Sequence, residues 1–232
     1  MREREIEIRI SDALELLRSI PDKEVDLIVT DPPYFFENTK GGGAFGSDNC
    51  EYHQDLDPLS SGISTEVLEE MYRIMRVPNI YIWCNIAQIP QYLNFFIKKG
   101  CRFDILTWHK TNPPPMCSNK YLSDTEYCLF FRKGAKLYGS YSTKGKYWLS
   151  PLNVADKKKY GHPACKPEKI IRTLVENSSQ RGELVCDPYL GSGTTAAVCA
   201  QIGRRFIGGD ISPDYVRISK DRLKNRTISD FM

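Results

Sequence analysis

The sequence lacks the features that mark membrane, disulfide-rich and zinc-binding proteins. None of its apolar runs approaches the roughly 18 residues of a transmembrane helix, and the opening MREREIEIRI has no apolar signal-peptide core. Its eight cysteines form no C-x-x-C pair, and several lie inside apolar runs, so we expect buried thiols and no metal. These absences predict a cytoplasmic protein.

The charge is small overall but unevenly distributed. Hydrophobic residues make up 41% and charged residues 26% of the 232 residues, with a mean hydropathy of −0.42, which is typical of a globular protein. The formal net charge is +3, yet residues 98–160 contain 13 lysines and arginines against 4 acidic residues. Positive charge is therefore concentrated in this segment.

Short runs of β-branched and aromatic residues alternate with longer amphipathic stretches, which predicts a parallel sheet covered by helices. We expect seven strands, near 6–10, 25–30, 79–84, 103–109, 126–132, 184–187 and 205–210. We expect helices near 12–19, 65–76, 87–99, 166–178, 194–202 and 212–225, with Thr65 as the cap of the second. Long irregular stretches at 35–64, 111–124 and 134–165 are typical of lids or binding surfaces.

The first candidate site is Asp31-Pro32-Pro33-Tyr34, directly after the apolar run VDLIVT. Open α/β sheets bind ligands at the carboxyl ends of their strands. The prolines have no N–H but keep their carbonyls, so the tetrapeptide offers a carboxylate, carbonyl acceptors and an aromatic ring. This set suits an amino group on a flat ring, although a simple proline turn remains an alternative.

The second candidate is a glycine turn between a strand and a helix. Glycines allow a ligand to approach the backbone, and a helix N-terminus favours an anion. Asp210 ends the next strand, 19 residues after Gly191, and is placed to accept hydrogen bonds from ribose hydroxyls or else to cap the last helix. We expect a nucleotide-type ligand to contact this turn, which comprises Asp187, Pro188, Tyr189, Leu190, Gly191, Ser192, Gly193, Thr194 and Thr195.

A third glycine cluster, GGGAFGS at 41–47, is not a phosphate-binding loop. Ser47 stands at the lysine position of that motif, and no apolar strand precedes the cluster. We interpret residues 35–64 as a lid beside Asp31, with a plain surface loop as the alternative.

Together, DPPY and DPYLGSGTT resemble the signature pair of amino-type DNA methyltransferases, which transfer a methyl group from S-adenosylmethionine to adenine N6 or cytosine N4. DPPY precedes the glycine turn by 156 residues, which resembles the circularly permuted β-class order of the family. The resemblance implies a Rossmann-like fold of seven mostly parallel strands, with helices on both faces. It also implies a prokaryotic or phage-encoded enzyme.

The resemblance also implies residue roles. Asp12 and Ala13 match positions that contact the cofactor's adenine, and HPACKPEKI places His162, Pro163 and Lys166 near its methionine end, with Lys166 as a partner for the carboxylate. Asp31 and the Pro32 carbonyl would accept hydrogen bonds from the target amine, without a covalent intermediate. The target base would flip out of the duplex and stack on Tyr34, supported by Phe35 or Trp108, although Trp108 is equally compatible with the core. An aspartate at the first motif position favours adenine over cytosine.

The lysine-rich segment 134–160 matches the family's target-recognition region, inserted between a catalytic half (1–133) and a cofactor-binding half (161–232). We expect six lysines in it to contact the phosphates of double-stranded DNA, although an ordinary solvated insert is the alternative: Lys136, Lys144, Lys146, Lys157, Lys158 and Lys159.

Other functions remain open. A homodimer and a companion restriction endonuclease are compatible with the resemblance. The competing functions are cytosine-N4 methylation, methylation of RNA or protein amines, a nucleotide-binding dehydrogenase and a catalytically silent DNA-binding module. The incomplete G-x-G-x-x-G fingerprint argues against the dehydrogenase, and the intact Asp31 and Tyr34 argue against the silent module.

Overall fold

One mixed sheet organises the chain in a computed structural model, which describes residues 6–34, 62–113, 115, 119, 121–154 and 165–224. Its strand order is β1-β8-β7-β2-β3-β5-β4-β6. Strand β5 pairs antiparallel with both neighbours, and every other pair is parallel. The strands are β1 (Ile6–Ile10), β2 (Leu27–Thr30), β3 (Asn79–Cys84), β4 (Arg102–Lys110), β5 (Thr125–Arg132), β6 (Tyr147–Ser150), β7 (Leu184–Asp187) and β8 (Arg205–Asp210).

The described residues contain six full α-helices that accompany these strands, and short 3₁₀ turns at Ile86–Gln88 and Tyr141–Thr143. The second helix begins at Thr65, as predicted, but its cap lies one residue earlier: the Ser64 side chain, and not that of Thr65, accepts the backbone N–H of Val67. The helices are α1 (Ala13–Arg18), α2 (Thr65–Ile74), α3 (Ile89–Lys98), α4 (Glu168–Ser178), α5 (Thr194–Ile202) and α6 (Pro213–Lys224).

Each face of the sheet has its own hydrophobic core. Helices α1, α2 and α3 pack on one face around residues such as Met71 and Phe131, and α4 and α5 pack on the other around Val175. Strand β2 is buried on both sides: Ile28 belongs to the first core, and Val29 to the second. This explains why its sequence is continuously apolar and does not alternate.

The predicted mostly parallel α/β fold is confirmed, but the sheet has eight strands where the sequence predicted seven. The additional strand, β6, lies within the basic segment 134–160, pairs with β4 and forms one edge of the sheet. Its outward residues Tyr147 and Leu149 are each 69% exposed. A four-residue edge strand buries too little apolar surface to give a clear hydrophobic pattern.

The six cysteines in the described part of the chain are buried, as predicted: Cys84, Cys101, Cys128, Cys165, Cys186 and Cys199. The described residues contain no group of His, Cys, Asp or Glu side chains suited to a metal ion. Across the same residues, no helix has the length and apolar character required to cross a bilayer.

Candidate active site

The two candidate motifs lie side by side because β2 and β7 are neighbouring parallel strands. Thr30, the last residue of β2, donates a hydrogen bond from Oγ1 to Asp187 Oδ1 at 2.9 Å. Asp187 ends β7, so this bond joins the strand tip that precedes DPPY to the strand tip that precedes the glycine turn. The structure therefore brings the two motifs together at the carboxyl edge of the sheet.

Asp187 holds this junction together through several hydrogen bonds. It is buried, and it also accepts hydrogen bonds from Thr195 Oγ1 at 2.9 Å and from the backbone N–H of Tyr189 at 3.2 Å. Burial raises its pKa to about 7, and the two threonine hydroxyls only partly oppose that rise. These contacts give Asp187 a structural role in shaping the turn.

Asp31 lies beside an ammonium group. Lys166 Nζ is 2.5 Å from Asp31 Oδ2 and 3.1 Å from the Tyr34 hydroxyl, to which it donates. The same ammonium lies 5.3 Å from the centre of the Tyr34 ring and 5.1 Å from that of buried Trp83. Burial raises the pKa of Asp31, and the positive charge of Lys166 opposes the rise.

A second carboxylate contacts the same lysine. Glu126 Oε2 lies 3.1 Å from Lys166 Nζ, and Glu126 Oε1 lies 2.8 Å from Lys110 Nζ. Burial alone would raise the pKa of Glu126, but the two lysine charges lower it to about 2. Burial alone would lower the pKa of Lys166, yet the carboxylates of Asp31 and Glu126 help to raise it well above its usual range. Glu126 and Lys166 therefore carry charge at neutral pH.

The DPPY segment is also held through its backbone. Gln88 Nε2 donates to the Pro33 carbonyl at 3.0 Å and to the Tyr92 hydroxyl at 3.1 Å. Gln88 is buried, and a capping box with Asn85 fixes its turn. This anchor holds Pro33 from the core side, while Asp31 and Tyr34 are half-buried at the strand tip.

The glycine turn is shaped by positive φ angles and by contacts from α6. Gly191 and Gly193 have φ values of 49° and 71°, which favour glycine. Ser219 Oγ donates to the Gly191 carbonyl at 2.9 Å, and Arg222 donates to the Ser192 carbonyl at 3.2 Å. A Cβ atom at Gly193 would lie only 2.6 Å from Ser219 Oγ. The turn therefore keeps its backbone close to α6.

Comparison with known proteins identifies the family. The family model described as DNA methylase matches residues 25–221. A type II methyltransferase of Lactococcus lactis subsp. cremoris, M2.LlaDCHI, is 31% identical over 92% of this chain and 87% of its own. The chain belongs to the DNA methylase family.

Two further proteins show the range of the methylase family around this chain. The Escherichia coli DNA adenine methyltransferase YhdJ is 29% identical over 91% of this chain and 80% of its own length. The solved PvuII DNA methyltransferase, named as cytosine-N4-specific, aligns with a TM-score of 0.72 and 20% identity over 96% of this chain and 87% of its own. The similarity thus includes proteins named for either base.

The methylase places the predicted adenosine-contact residues at the carboxyl ends of the neighbouring strands β1, β8 and β7. Both Asp210 carboxylate oxygens accept backbone N–H groups at 2.9 Å, Oδ2 from Gly191 and Oδ1 from Ser212. Asp210 therefore braces the turn, and Ser212 Oγ is the acceptor for the N–H of Tyr215 in α6 at 3.4 Å. Each carboxylate oxygen has a further lone pair, so the predicted ribose contact stays a prediction.

Asp12 and Ala13 follow β1 at the same edge. The Asp12 side chain accepts the N–H of Glu15 at 3.0 Å and caps α1, and its carboxylate is exposed. Ala13 is buried in the core. Their predicted contact with the cofactor's adenine remains a prediction.

The structure also limits the stacking residues. Trp108 is 2% exposed and donates from Nε1 to Ser150 Oγ at 2.8 Å, so it is a core residue and not a base-stacking platform. Tyr34 is the aromatic side chain that the structure places at the strand tip. Several predicted features lie outside the described residues: Phe35, residues 35–61 of the lid, Lys157, Lys158, Lys159, His162 and Pro163.

Sequence reasoning missed Glu126, Lys110 and Gln88. Glu126 was assigned only to a strand, but β5 runs opposite to β3 and β4, so its first residues lie at the same edge as Asp31. Lys110 is the last residue of β4, which runs antiparallel to β5, so it lies at the same edge as Glu126. The available signal was a charged residue at the end of one apolar strand, β4, and another near the start of the next, β5.

Proposed function

We propose that this methylase transfers a methyl group from S-adenosylmethionine to the exocyclic N6 of adenine in double-stranded DNA, after the base has flipped out of the helix. The observation that carries the proposal is the junction of β2 and β7, which holds Asp31 and the glycine turn at adjacent strand tips. S-adenosylmethionine, the family's cofactor, supplies an electrophilic methyl group on a sulfonium.

The cofactor-binding role of the turn rests on its shape. The backbone of Gly191, Ser192 and Gly193 is held open by α6, and any side chain at Gly193 would collide with Ser219. Asp210 presents acceptors beside it, where ribose hydroxyls can donate. We propose that Asp12 and Asp210 would hold the adenosine part of the cofactor.

Asp31 performs the main task at the target amine. An aromatic amine is a poor nucleophile because its lone pair is delocalised into the ring. Hydrogen bonds from its protons to Asp31 and to the Pro32 carbonyl favour a pyramidal nitrogen whose lone pair faces the methyl group. As the nitrogen–carbon bond forms and the carbon–sulfur bond breaks, positive charge passes to the nitrogen, and Asp31 accepts the surplus proton and releases it to water.

The choice of adenine rests on Asp31 as the first residue of the tetrapeptide, where the cytosine-N4 enzymes of the family more often have serine. Cytosine N4 is the second candidate, because it presents the same kind of amine. The PvuII DNA methyltransferase, which is named as cytosine-N4-specific, has a similar fold.

The surface that we assign to DNA is the lysine-rich segment, whose strand β6 runs parallel to β4 towards the strand tips. Lys136 and Lys144 lie further away, because Tyr138 and Thr143 between them contact Asn177 near the start of β3. Lys136, Lys144 and Lys146 are exposed, and Lys146 pairs with Asp104. Tyr141 is fully exposed, and Tyr147 projects from β6. Lysines interspersed with aromatic side chains suit phosphate contact and groove packing. The relative M2.LlaDCHI is named as a type II methyltransferase, so a companion endonuclease belongs to the proposal, as does a homodimer.

Methyl-labelled S-adenosylmethionine with unmethylated genomic DNA, followed by nucleoside analysis, tests the function. We expect label in N6-methyladenine. Label in N4-methylcytosine would change the base, and label only in RNA or protein would overturn the DNA substrate. We expect Asp31→Ala to abolish transfer with donor affinity within about twofold of wild type. Asp22→Ala, at an exposed surface carboxylate, is the matched control.

Salt titration tests the DNA surface. Replacing Lys136, Lys144 and Lys146 by glutamine should lower DNA affinity and reduce the slope of log K against log salt by up to about 3. The matched control replaces the exposed helix lysines Lys98, Lys169 and Lys220. An unchanged slope in the first variant would exclude phosphate contact by this segment.

A further inference from the structure

Four ionisable side chains form a continuous, largely buried chain of ion pairs at the transfer site. Lys110 contacts Glu126 at 2.8 Å, Glu126 contacts Lys166 at 3.1 Å, and Lys166 contacts Asp31 at 2.5 Å. Their side chains are between 8% and 22% exposed. Two positive and two negative groups leave no net charge. An unpaired charge at this depth would be costly, so the four groups depend on one another.

Lys166 is held by three groups of the protein itself. Its ammonium donates hydrogen bonds to Asp31 at 2.5 Å and to the Tyr34 hydroxyl at 3.1 Å. Glu126 Oε2, which accepts no hydrogen bond, forms an ion pair with the same ammonium at 3.1 Å. Lys166 in this arrangement serves the carboxylate that receives the target amine, although the family resemblance assigns it to the carboxylate of the cofactor.

We propose that Glu126 is a positioning residue for methyl transfer: anchored by Lys110, it holds the Lys166 ammonium against Asp31 Oδ2 and leaves the other Asp31 oxygen to the target amine. The inference rests on the proposed function, because it assigns Glu126 to the reaction at Asp31.

The reaction needs Glu126 for an electrostatic reason. During transfer, positive charge develops on the amine nitrogen beside Asp31. Lys166 alone would oppose that charge, and the negative charge of Glu126 offsets Lys166. Without Glu126 the site would carry a net positive charge where a cation forms, and the Lys166 ammonium would lose one of its three anchors. Both effects slow the methyl-transfer step and leave cofactor binding unaffected.

The two neighbours of Asp31 have opposite effects on its titration. Lys166 lowers the pKa of Asp31 and Glu126 raises it. The groups that face Asp31 from the surrounding elements are Tyr34, Cys84, Glu126, Cys128, Lys166 and Asp187. Burial raises the pKa of Cys84 to about 12 and that of Cys128 well above its usual value, so both thiols stay neutral. Asp187 titrates near neutral pH, but it is the same in every variant compared.

The experiment measures kinetics and the titration of Asp31 in Glu126→Gln and Lys166→Met. For Glu126→Gln we expect kcat to fall about 10-fold or more, with the cofactor Kd within about twofold. We expect the acid limb of kcat to move to lower pH in Glu126→Gln and to higher pH in Lys166→Met. The ¹³C carboxyl signal of Asp31, assigned by its loss in Asp31→Asn, should shift its midpoint in the same opposite directions without cofactor or DNA.

Glu69→Gln is the matched control, because Glu69 forms a surface ion pair with Lys99 at 2.7 Å, and it should change neither measurement. If Glu126→Gln does not fold, Glu126→Asp tests the same point. It keeps the charge, so the Asp31 midpoint should match that of wild type, while its shorter side chain cannot span both lysines and kcat should fall.

Two results would overturn the inference. One is an Asp31 midpoint that is unchanged in Glu126→Gln, and the other is a loss of cofactor affinity at constant kcat, which would assign Lys166 to the cofactor. Failure of the wild-type protein to methylate DNA would contradict the proposed function, but the Asp31 midpoints would still decide the role of Glu126.

Discussion

Asp187 offers a stability test of how the two strand tips are joined. It is 4% exposed and accepts three hydrogen bonds, from Thr30, Thr195 and the N–H of Tyr189. Asp187→Asn keeps the shape of the side chain and resembles the protonated acid, because Nδ2 can donate to Thr195 Oγ1 while Oδ1 still accepts from Thr30. The substitution therefore removes the titration and keeps most of the junction.

The direction in which stability changes with pH follows from proton binding by Asp187. The folded protein raises the pKa of Asp187 from 3.8 to about 7, so between these pH values the folded state holds a proton that the unfolded chain has released. The contribution of Asp187 to the free energy of unfolding is complete below pH 3.8 and is lost as pH rises towards 7. At about 1.4 kcal/mol per pH unit, the loss is about 4 kcal/mol.

Urea unfolding of wild type and Asp187→Asn between pH 4 and pH 8.5 measures this contribution. Subtracting the two curves cancels the other titrating groups to first order. The wild type should lose stability relative to Asp187→Asn up to about pH 7 and run parallel to it above. Thr195→Val removes a hydrogen bond that lowers the pKa of Asp187, so it should extend the loss to higher pH. A stability difference between the two proteins that does not vary with pH would refute a raised pKa at Asp187.

Two further predictions concern the backbone of the site. Gly193→Ala should weaken cofactor binding at least about 10-fold in calorimetry, because positive φ and the contact with Ser219 cost about 1–3 kcal/mol. Unchanged affinity would contradict the role of the glycine turn in binding the cofactor. Gln88→Met should destabilise the protein by about 1–3 kcal/mol in urea and lower kcat, because the Pro33 carbonyl loses its donor; wild-type kcat at equal stability would show that Pro33 needs no anchor.

The fold was largely predictable because its strands and helices carry strong local patterns. The strands at Asn79–Cys84, Leu184–Asp187 and Arg205–Asp210 have the predicted bounds. Their apolar runs end abruptly at polar or turn residues, so the pattern fixes both ends. Strand Tyr147–Ser150 was not predicted, because it is stabilised by pairing with β4 and only weakly by its own sequence.

The site was predictable only where its residues are contiguous. DPPY and the glycine turn are short motifs whose geometry depends on neighbouring residues, and the structure places them together. Lys166 is 135 residues from Asp31, and Glu126 approaches both through the reversal of β5. A contact of this kind depends on strand order, which a single sequence does not encode locally.

The two halves of the site are held by different forces, and this separates their responses. The glycine turn is fixed mainly by hydrogen bonds to backbone groups, from Ser219 and Arg222 and to Asp210. The transfer half is fixed by ion pairs between buried charges. Because a buried ion pair responds strongly to any change in protonation, acid should slow methyl transfer at Asp31 before it weakens cofactor binding at the turn.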